Sequence, residues 1–316
     1  MAMPLVETKN LKKYFKTGAG MLHAVEDVNL KIMPGKTLGV VGESGCGKST
    51  LGRTILRRQP ATSGEVLYNG ENILKYKGKD MQKIHLNMQM VFQDPYSSLD
   101  PRMSVHNLIA EPVQVCGLLK TKAEINEHVR EIMDMCGLPA DQANLFPHEL
   151  DGGLRQRVGL ARAMAVSPKF IVCDEPVSAL DVSIQAQILN LLMDLQEQRE
   201  LSYMFITHDL CVVKHISDEI MVMYMGQVVE HAKTAELFAN PVHPYTKALL
   251  HAVPTIDLSK RNREGFMLRG EVTSPINPAP GCRFAPRCPY ATDKCKENVC
   301  LKEVSPDHFV ACSLGD

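Results

Sequence analysis

The sequence predicts an α/β fold built on a parallel sheet, and three observations carry that expectation. Apolar runs at 37–41 and 170–173 have the length and composition of buried strands. Runs with helical spacing or helix-forming composition follow or separate them, at 50–57, 122–137 and 182–199. A glycine-rich stretch joins the first buried strand directly to the first helix. Strands that alternate with helices need crossover connections, and crossovers make parallel pairs.

In chain order, residues 4–8 (PLVET) and 25–32 (VEDVNLKI) read as short strands with partial alternation, and Pro34-Gly35 as a turn. They are expected to form an antiparallel sheet ahead of the parallel one. Thr37-Leu38-Gly39-Val40-Val41 then runs straight into GESGCGKST. The stretch 95–158 reads as mostly helical and interrupts the alternation, so it is expected to be an inserted subdomain. The helix at 122–137 lies inside it and ends on Gly137. Strand 170–173 leads into Asp174-Glu175-Pro176, helix 182–199 follows, and strand 202–206 (SYMFI) leads to Thr207-His208-Asp209. The expected organisation is a core from 1–94 and 159–235, a helical subdomain at 95–158, and an extension at 236–316.

Composition sets the function classes. The chain has 316 residues, 45% of them hydrophobic and 22% charged, with 35 basic and 36 acidic residues and a formal charge of −1. Nucleic-acid binding usually needs a clearly basic face, so no nucleic-acid partner is implied. No run approaches the ~18 consecutive apolar residues of a spanning helix, and the start MAMPLVETKN lacks the apolar centre of a signal peptide. A soluble, unexported chain is expected.

Gly42-Glu43-Ser44-Gly45-Cys46-Gly47-Lys48-Ser49 matches the phosphate-binding loop, glycine, four residues, then Gly-Lys-Ser/Thr. Its glycines let backbone N–H groups wrap phosphates; Lys48 would reach the β- and γ-phosphates, and the Ser49 hydroxyl would ligate Mg²⁺. Thr50 opens the helix beyond. Asp174 and Glu175 end an apolar strand, where Asp174 is placed to hold Mg²⁺ through water and Glu175 to polarise an attacking water. His208, ending the next strand, is a candidate contact to the γ-phosphate. The expected fold is therefore an α/β P-loop NTPase.

These motifs, in this order, resemble the ATP-binding subunit of an ABC transporter over about residues 5–235. The resemblance implies an ABC-type ATP-binding domain with an inserted helical subdomain. It places Phe15, with Tyr14 as its neighbour and substitute, where that family stacks an aromatic on adenine. Gln93, in Val91-Phe92-Gln93-Asp94-Pro95, matches the family's lever between metal site and membrane subunits. Ser178-Ala179-Leu180-Asp181 matches the loop that communicates across a dimer, and His208 the switch histidine.

Leu150-Asp151-Gly152-Gly153-Leu154 stands at the family signature, usually Leu-Ser-Gly-Gly-Gln, which completes the ATP site of the opposite subunit. Asp151, Gly152 and Gly153 are thus candidate contacts to a partner's nucleotide, with Asp151 replacing the serine and Leu154 the glutamine. At ~5 Å and an effective dielectric constant near 20, each unit-charge pair between a carboxylate and a phosphate costs about 3 kcal/mol. The helix N-terminus returns only ~0.3–1 kcal/mol. A spoiled signature on an intact helix start is expected, unless Asp151 is protonated, turned away or paired, for example with Arg155. Such a chain would pair with a different ATPase subunit. The rival expectation is a plain loss of activity without native asymmetry.

The tail resembles the dipeptide/oligopeptide importer branch through Asn240-Pro-Val-His-Pro-Tyr-Thr-Lys-Ala-Leu-Leu250 and Cys282-Arg-Phe-Ala-Pro-Arg-Cys288. In that branch, cysteines of this region hold a [4Fe–4S] cluster, and the matching set is Cys282, Cys288, Cys295 and Cys312. Four thiols in one short module of a reducing compartment point to a metal centre rather than disulfides. Their gaps of five, six and sixteen residues fit paired zinc knuckles poorly, although zinc and free thiols stay open. Cys300 falls outside the set. The resemblance further implies a second, non-identical ATP-binding subunit, two transmembrane permease subunits, an external substrate-binding protein, and a place on the cytoplasmic face of the membrane. Two other functions stay open: a soluble ABC ATPase acting on nucleic acid or ribosomes, and a nucleotide-binding assembly subunit with little hydrolysis of its own.

Overall fold

The computed structural model describes residues 3–253, 274–297 and 299–315. Parts of the expected extension, 254–273 with 298 and 316, therefore lie outside the described residues. The chain forms two compact units, the first made of 1–74 with 205–316 and the second of 75–204.

The first unit opens with strands β1 (Val6–Thr17) and β2 (Gly20–Ile32), an antiparallel hairpin in which Thr17 pairs Gly20 across a two-residue turn. Both strands are longer than the sequence pattern suggests. Asn10 adopts a φ of 46°, and the register shifts between Thr8 and Leu11. That bulge changes the phase of the inward-facing side chains, so strict alternation fails although the strand continues. β3 (Thr37–Val41) follows, buried at all five positions, then α1 (Lys48–Ile55). β4 (Ser63–Tyr68) pairs antiparallel with β1, and β5 (Glu71–Asn72) with β4, giving the expected N-terminal antiparallel sheet.

The second unit begins with α2 (Gly78–Asn87) and β6 (Met88–Val91). A helical run comes next: α3 (Pro95–Ser98), α4 (Val105–Val115), α5 (Lys122–Met135) and α6 (Gly152–Met164). α5 begins where Thr121 and Glu124 cap each other reciprocally: Glu124 N–H donates to the Thr121 hydroxyl at 3.2 Å, and Thr121 N–H to the Glu124 carboxylate at 3.0 Å. β7 (Phe170–Asp174) pairs parallel with β6. α7 (Val182–Arg199) follows, and in β8 (Ser202–Thr207) the chain returns to the first unit.

There, α8 (Leu210–Ile216) precedes β9 (Glu219–Tyr224), which lies parallel beside β3 with Val41 opposite Val222. β10 (Gln227–Lys233) pairs antiparallel with β9. After α9 (Thr234–Ala239) and α10 (Pro244–His251), the C-terminal segment supplies β11 (Lys302–Ser305) and β12 (His308–Val310), and β12 pairs with β10. The extension thus continues the sheet of the first unit. Its core joins Val41 and Val222 of the parallel pair to Tyr224, Tyr245 and Phe284, with Cys282 and Cys288 packed against them.

Glu230 fastens this assembly. It is fully buried, accepts hydrogen bonds from the N–H groups of Val242 and His243 at 2.8 and 2.9 Å, and lies 2.8 Å from His308 Nε2. A buried acceptor that serves several donors cannot be removed without stranding them. Glu230→Ala is expected to destabilise the chain by about 3 kcal/mol or more, from two orphaned N–H groups and the loss of the partner of His308 Nε2. Glu230→Gln should cost clearly less, and urea unfolding of the two variants checks the order.

Candidate nucleotide half-sites and cysteine cavity

The phosphate loop leaves β3 and enters α1. Gly47 sits just before the helix with φ 105°, and a Cβ there would lie 2.0 Å from the carbonyl oxygen of Ala24. Only glycine lets the chain turn so tightly against β2 and still start α1 with its N–H groups free of side-chain cover. The helix start thus carries neither a capping side chain nor a first-turn carboxylate. Lys48 is buried, 4% exposed, and its ammonium donates to the carbonyls of Gly42 and Glu43 at 2.7 and 3.0 Å. It therefore lies along the inside of the loop it would serve. Ser44 and Gly45 are exposed at the loop's crest, and Ser49 and Thr50 are half-buried in the first turn of α1. Cys46 is buried, and burial holds its thiol above the usual range, so it acts as a packing residue.

The adjacent aromatics of β1 divide their roles. Tyr14 stacks on His23 with ring centroids 3.9 Å apart and donates its hydroxyl to Glu26; burial and then that bond push it up to about 12. Phe15 is half-buried and carries the Lys13 ammonium 4.6 Å from its ring centre. Tyr14 is committed to its own unit, which leaves Phe15 as the adenine candidate. His208, just past β8, is exposed.

The second unit carries its own group of candidate residues. β6 and β7 run parallel with Val91 opposite Cys173. Two residues further along each strand stand Gln93 and Glu175, and Gln93 Nε2 donates to Glu175 Oε2 at 3.0 Å. Strand register thus brings together two residues far apart in sequence. Asp174 is fully buried. Glu175 adopts φ 48°, a left-handed conformation uncommon outside glycine and asparagine and concentrated at functional sites. Beyond it, Gln185 of α7 braces the loop by donating to the carbonyls of Val177 and Leu180 at 3.0 and 2.9 Å. Gln185 is not legible in the sequence, because a glutamine on a helix carries no local signal.

At the start of α6 the structure gives Asp151 a definite task. Its carboxylate caps the helix, accepting the Leu154 N–H at 2.8 Å. Arg155 is not its partner: that guanidinium donates to the Pro147 carbonyl at 2.7 Å and lies 5.0 Å over the Tyr96 ring. Gly152 is exposed and Gly153 buried. A Cβ on Gly153 would come 2.7 Å from Ile184 Cγ2, so this glycine lets α6 pack on α7.

Cys282, Cys288, Cys295 and Cys312 line one small cavity, walled by Phe284, Val299 and Leu314. The thiols affect one another. Burial raises Cys282 to about 11 and raises Cys288 and Cys312, each with a further push from neighbouring thiols of the set. Cys295 is lowered, chiefly by a backbone hydrogen bond at Thr292. The four thiols thus share the lining of one largely apolar pocket. Among the described residues, no three His, Cys, Asp or Glu side chains stand close enough to hold a metal ion as they are placed. Cys300 is exposed and borders a different, larger cavity.

In the first unit, a buried strand, a glycine-rich loop and a helix follow one another as in the P-loop class of nucleotide-binding proteins. Comparison with known proteins defines it further. Residues 25–178 match the ABC transporter family model, and 229–295 match the model of the oligopeptide/dipeptide transporter C-terminal region. The oligopeptide transport ATP-binding protein AppF of Bacillus subtilis is 47% identical over 98% of this chain and 97% of its own length. OppF of the same organism, named likewise, is 48% identical over 100% of this chain and 98% of its own. A putative peptide import ATP-binding protein of Brucella ovis is 45% identical over 98% and 97%. Among solved structures, an ATP-binding cassette dimer described as a post-hydrolysis state with ADP and phosphate matches with TM-score 0.66 and 29% identity, over 72% of this chain and 98% of its own. A Clostridium perfringens component of the ABC transporter complex cbiONQ matches with TM-score 0.67 and 26% identity, over 75% and 92%. The chain belongs to the ABC transporter family, in its oligopeptide-transport ATP-binding branch.

The capping role of Asp151 makes a stability prediction. Asp151→Ala should destabilise the protein by about 1 kcal/mol, the usual worth of an N-cap. Asp151→Ser, which keeps an acceptor for the Leu154 N–H, should stay within ~0.5 kcal/mol of the parent. Urea midpoints of the two variants read the difference.

Proposed function

We propose that this chain hydrolyses ATP to power the uptake of oligopeptides through membrane permease subunits fed by an external substrate-binding protein, working from the cytoplasmic face of the membrane. The observation that carries the catalytic part is Glu175, which follows the buried Asp174 and is held by Gln93 at 3.0 Å. The cargo rests on the relatives named as oligopeptide transport proteins. Near-neutral charge speaks against a nucleic-acid target.

In this reading Phe15 stacks on adenine. The N–H groups from Gly42 to Thr50, including Ser44, Gly45, Cys46 and Gly47, wrap the phosphates, and Lys48 neutralises the β- and γ-phosphates. Ser49 and Gln93 would supply oxygen ligands for Mg²⁺ and Asp174 would hold it through water; the ion would screen the phosphate charge when bound. Glu175 orients the attacking water as base, and His208 contacts the γ-phosphate. Residues 1–94 and 159–235 act as the ATP-binding core, 95–158 as the helical subdomain bearing Asp151, Gly152 and Gly153, and 236–316 as the extension.

Asp151 and Leu154 support an asymmetric pairing with a non-identical ATPase subunit. The capped carboxylate stays at the helix start, where a partner's γ-phosphate would come, and Leu154 has no amide to offer it. The site built on Lys48 and the partner's signature turns over, and the site facing Asp151 holds nucleotide and turns over slowly. In the reconstituted complex, Glu175→Gln should keep ATP binding yet lower single-turnover hydrolysis at the Lys48 site by roughly 10²-fold or more, the ordinary reach of general-base catalysis. Wild-type turnover at that site would overturn the role of Glu175. Asp151→Ser with Leu154→Gln should raise turnover at the slow site, and no gain there would overturn the asymmetry.

The cysteine cavity supports a [4Fe–4S] centre held by Cys282, Cys288, Cys295 and Cys312; such a centre, when bound, ties four chain segments together through thiolate–iron bonds. The four thiols, with Phe284, Val299 and Leu314 around them, offer it a ligand set and a shielding wall. Protein purified without oxygen should carry iron and absorb broadly near roughly 400 nm, as expected for Cys₄ ligation. Cys288→Ser should remove that absorbance and Cys300→Ser should not. Stoichiometric zinc without iron would replace the cluster with a zinc site.

A further inference from the structure

Glu43, the second residue of the phosphate loop, is held from three directions within the first unit. Its carboxylate receives the Arg287 guanidinium in a fork, Nη1 to Oε2 at 2.8 Å and Nη2 to Oε1 at 3.2 Å. Its N–H donates to the Tyr245 hydroxyl at 2.8 Å. Its carbonyl accepts from Lys48. The first two holds come from outside the loop and its flanking strand and helix, from α10 and from the short turn Ala285–Arg287.

Both holds are rigidly mounted. Arg287 is 8% exposed and Tyr245 fully buried. Nη1 of Arg287 also reaches the Tyr224 hydroxyl at 3.4 Å. Tyr224, Tyr245 and Phe284 pack together with centroids 4.8 to 5.4 Å apart. A planar, forked guanidinium fixes a carboxylate in direction as well as distance, which a lysine cannot do. Electrostatics gives the pairing a purpose. Glu43 is one residue past the glycine that opens the loop, so an unpaired carboxylate there repels the phosphates the loop must receive. Arg287 neutralises it and keeps it turned toward the C-terminal segment.

We propose that Arg287 and Tyr245 are positioning residues of the ATP site: together they hold Glu43 so that the phosphate loop presents its N–H groups, and not a carboxylate, to the nucleotide. The extension is thereby part of the nucleotide-binding apparatus of this chain. This rests on phosphate binding by the loop, and it is independent of whether the cysteine cavity holds iron, zinc or no metal.

The test is Mg-ATP affinity of the full-length chain, read with fluorescent trinitrophenyl-ATP, alongside kcat and KM of the assembled complex. Arg287→Gln should weaken binding ~10-fold, the scale of one lost charge-assisted hydrogen-bond pair. KM should rise in step while kcat at saturating ATP stays within about twofold, as expected for a loss of ground-state binding. Arg287→Lys should recover part of the affinity. In a Glu43→Gln background Arg287→Gln should add nothing, because the charge it restrains is gone. A folded Arg287→Gln chain that binds ATP like the parent, or effects that simply multiply in the double variant, would overturn the proposal. Should Arg287→Gln fail to fold by circular dichroism, Tyr245→Phe decides: it keeps the ring packing and removes only the acceptor for Glu43 N–H. Weaker binding with unchanged kcat supports the proposal, and unchanged binding overturns it.

Discussion

A strand without a solvent face is the constraint on which the first unit depends. All five residues of β3 are buried, and Val41 lies opposite Val222 of β9. Sliding such a strand by one residue would exchange its two packed faces, so its register is strongly specified. The loop that follows therefore begins from a fixed point. Gly47 can then be pressed against Ala24 and still launch α1 in the right direction. Close packing makes this site stiff before any ligand contributes.

The same logic explains what was legible in the sequence. β3, β7 and α7 were read close to their observed limits because each has one dominant pattern, apolar runs for the strands and length with helix-forming composition for the helix. The pattern at 4–8 marks only the start of β1, because a bulge near Asn10 breaks alternation without ending the strand. Gln93 and Glu175 were each recognisable, but their contact is a property of register between β6 and β7, which no local pattern states. Arg287 and Glu43 lie 244 residues apart. Nothing about either residue alone reveals the other, since charge pairing across a fold leaves no periodic trace.

Asp151 shows how one residue meets two demands that pull apart. As a helix cap, aspartate is as good as serine, because either offers an oxygen to the Leu154 N–H. In the proposed pairing, beside a partner's phosphate, it would be the poorer choice, because the cap adds a full charge at the helix's anion-attracting end. The helix start is thus capped equally well by either residue.

Glu175 carries a different kind of tension. Its backbone stands at φ 48°, a conformation in which glycine or asparagine rests more easily and most side chains cost of order 1 kcal/mol or more. Neither glycine nor asparagine provides a carboxylate at that reach. Selection for stability alone would thus drive this position toward glycine, and a randomised library screened only for thermal tolerance should enrich a residue that lacks the carboxylate of the proposed base. The strain at this strand end measures how far the chain departs from its own most stable sequence.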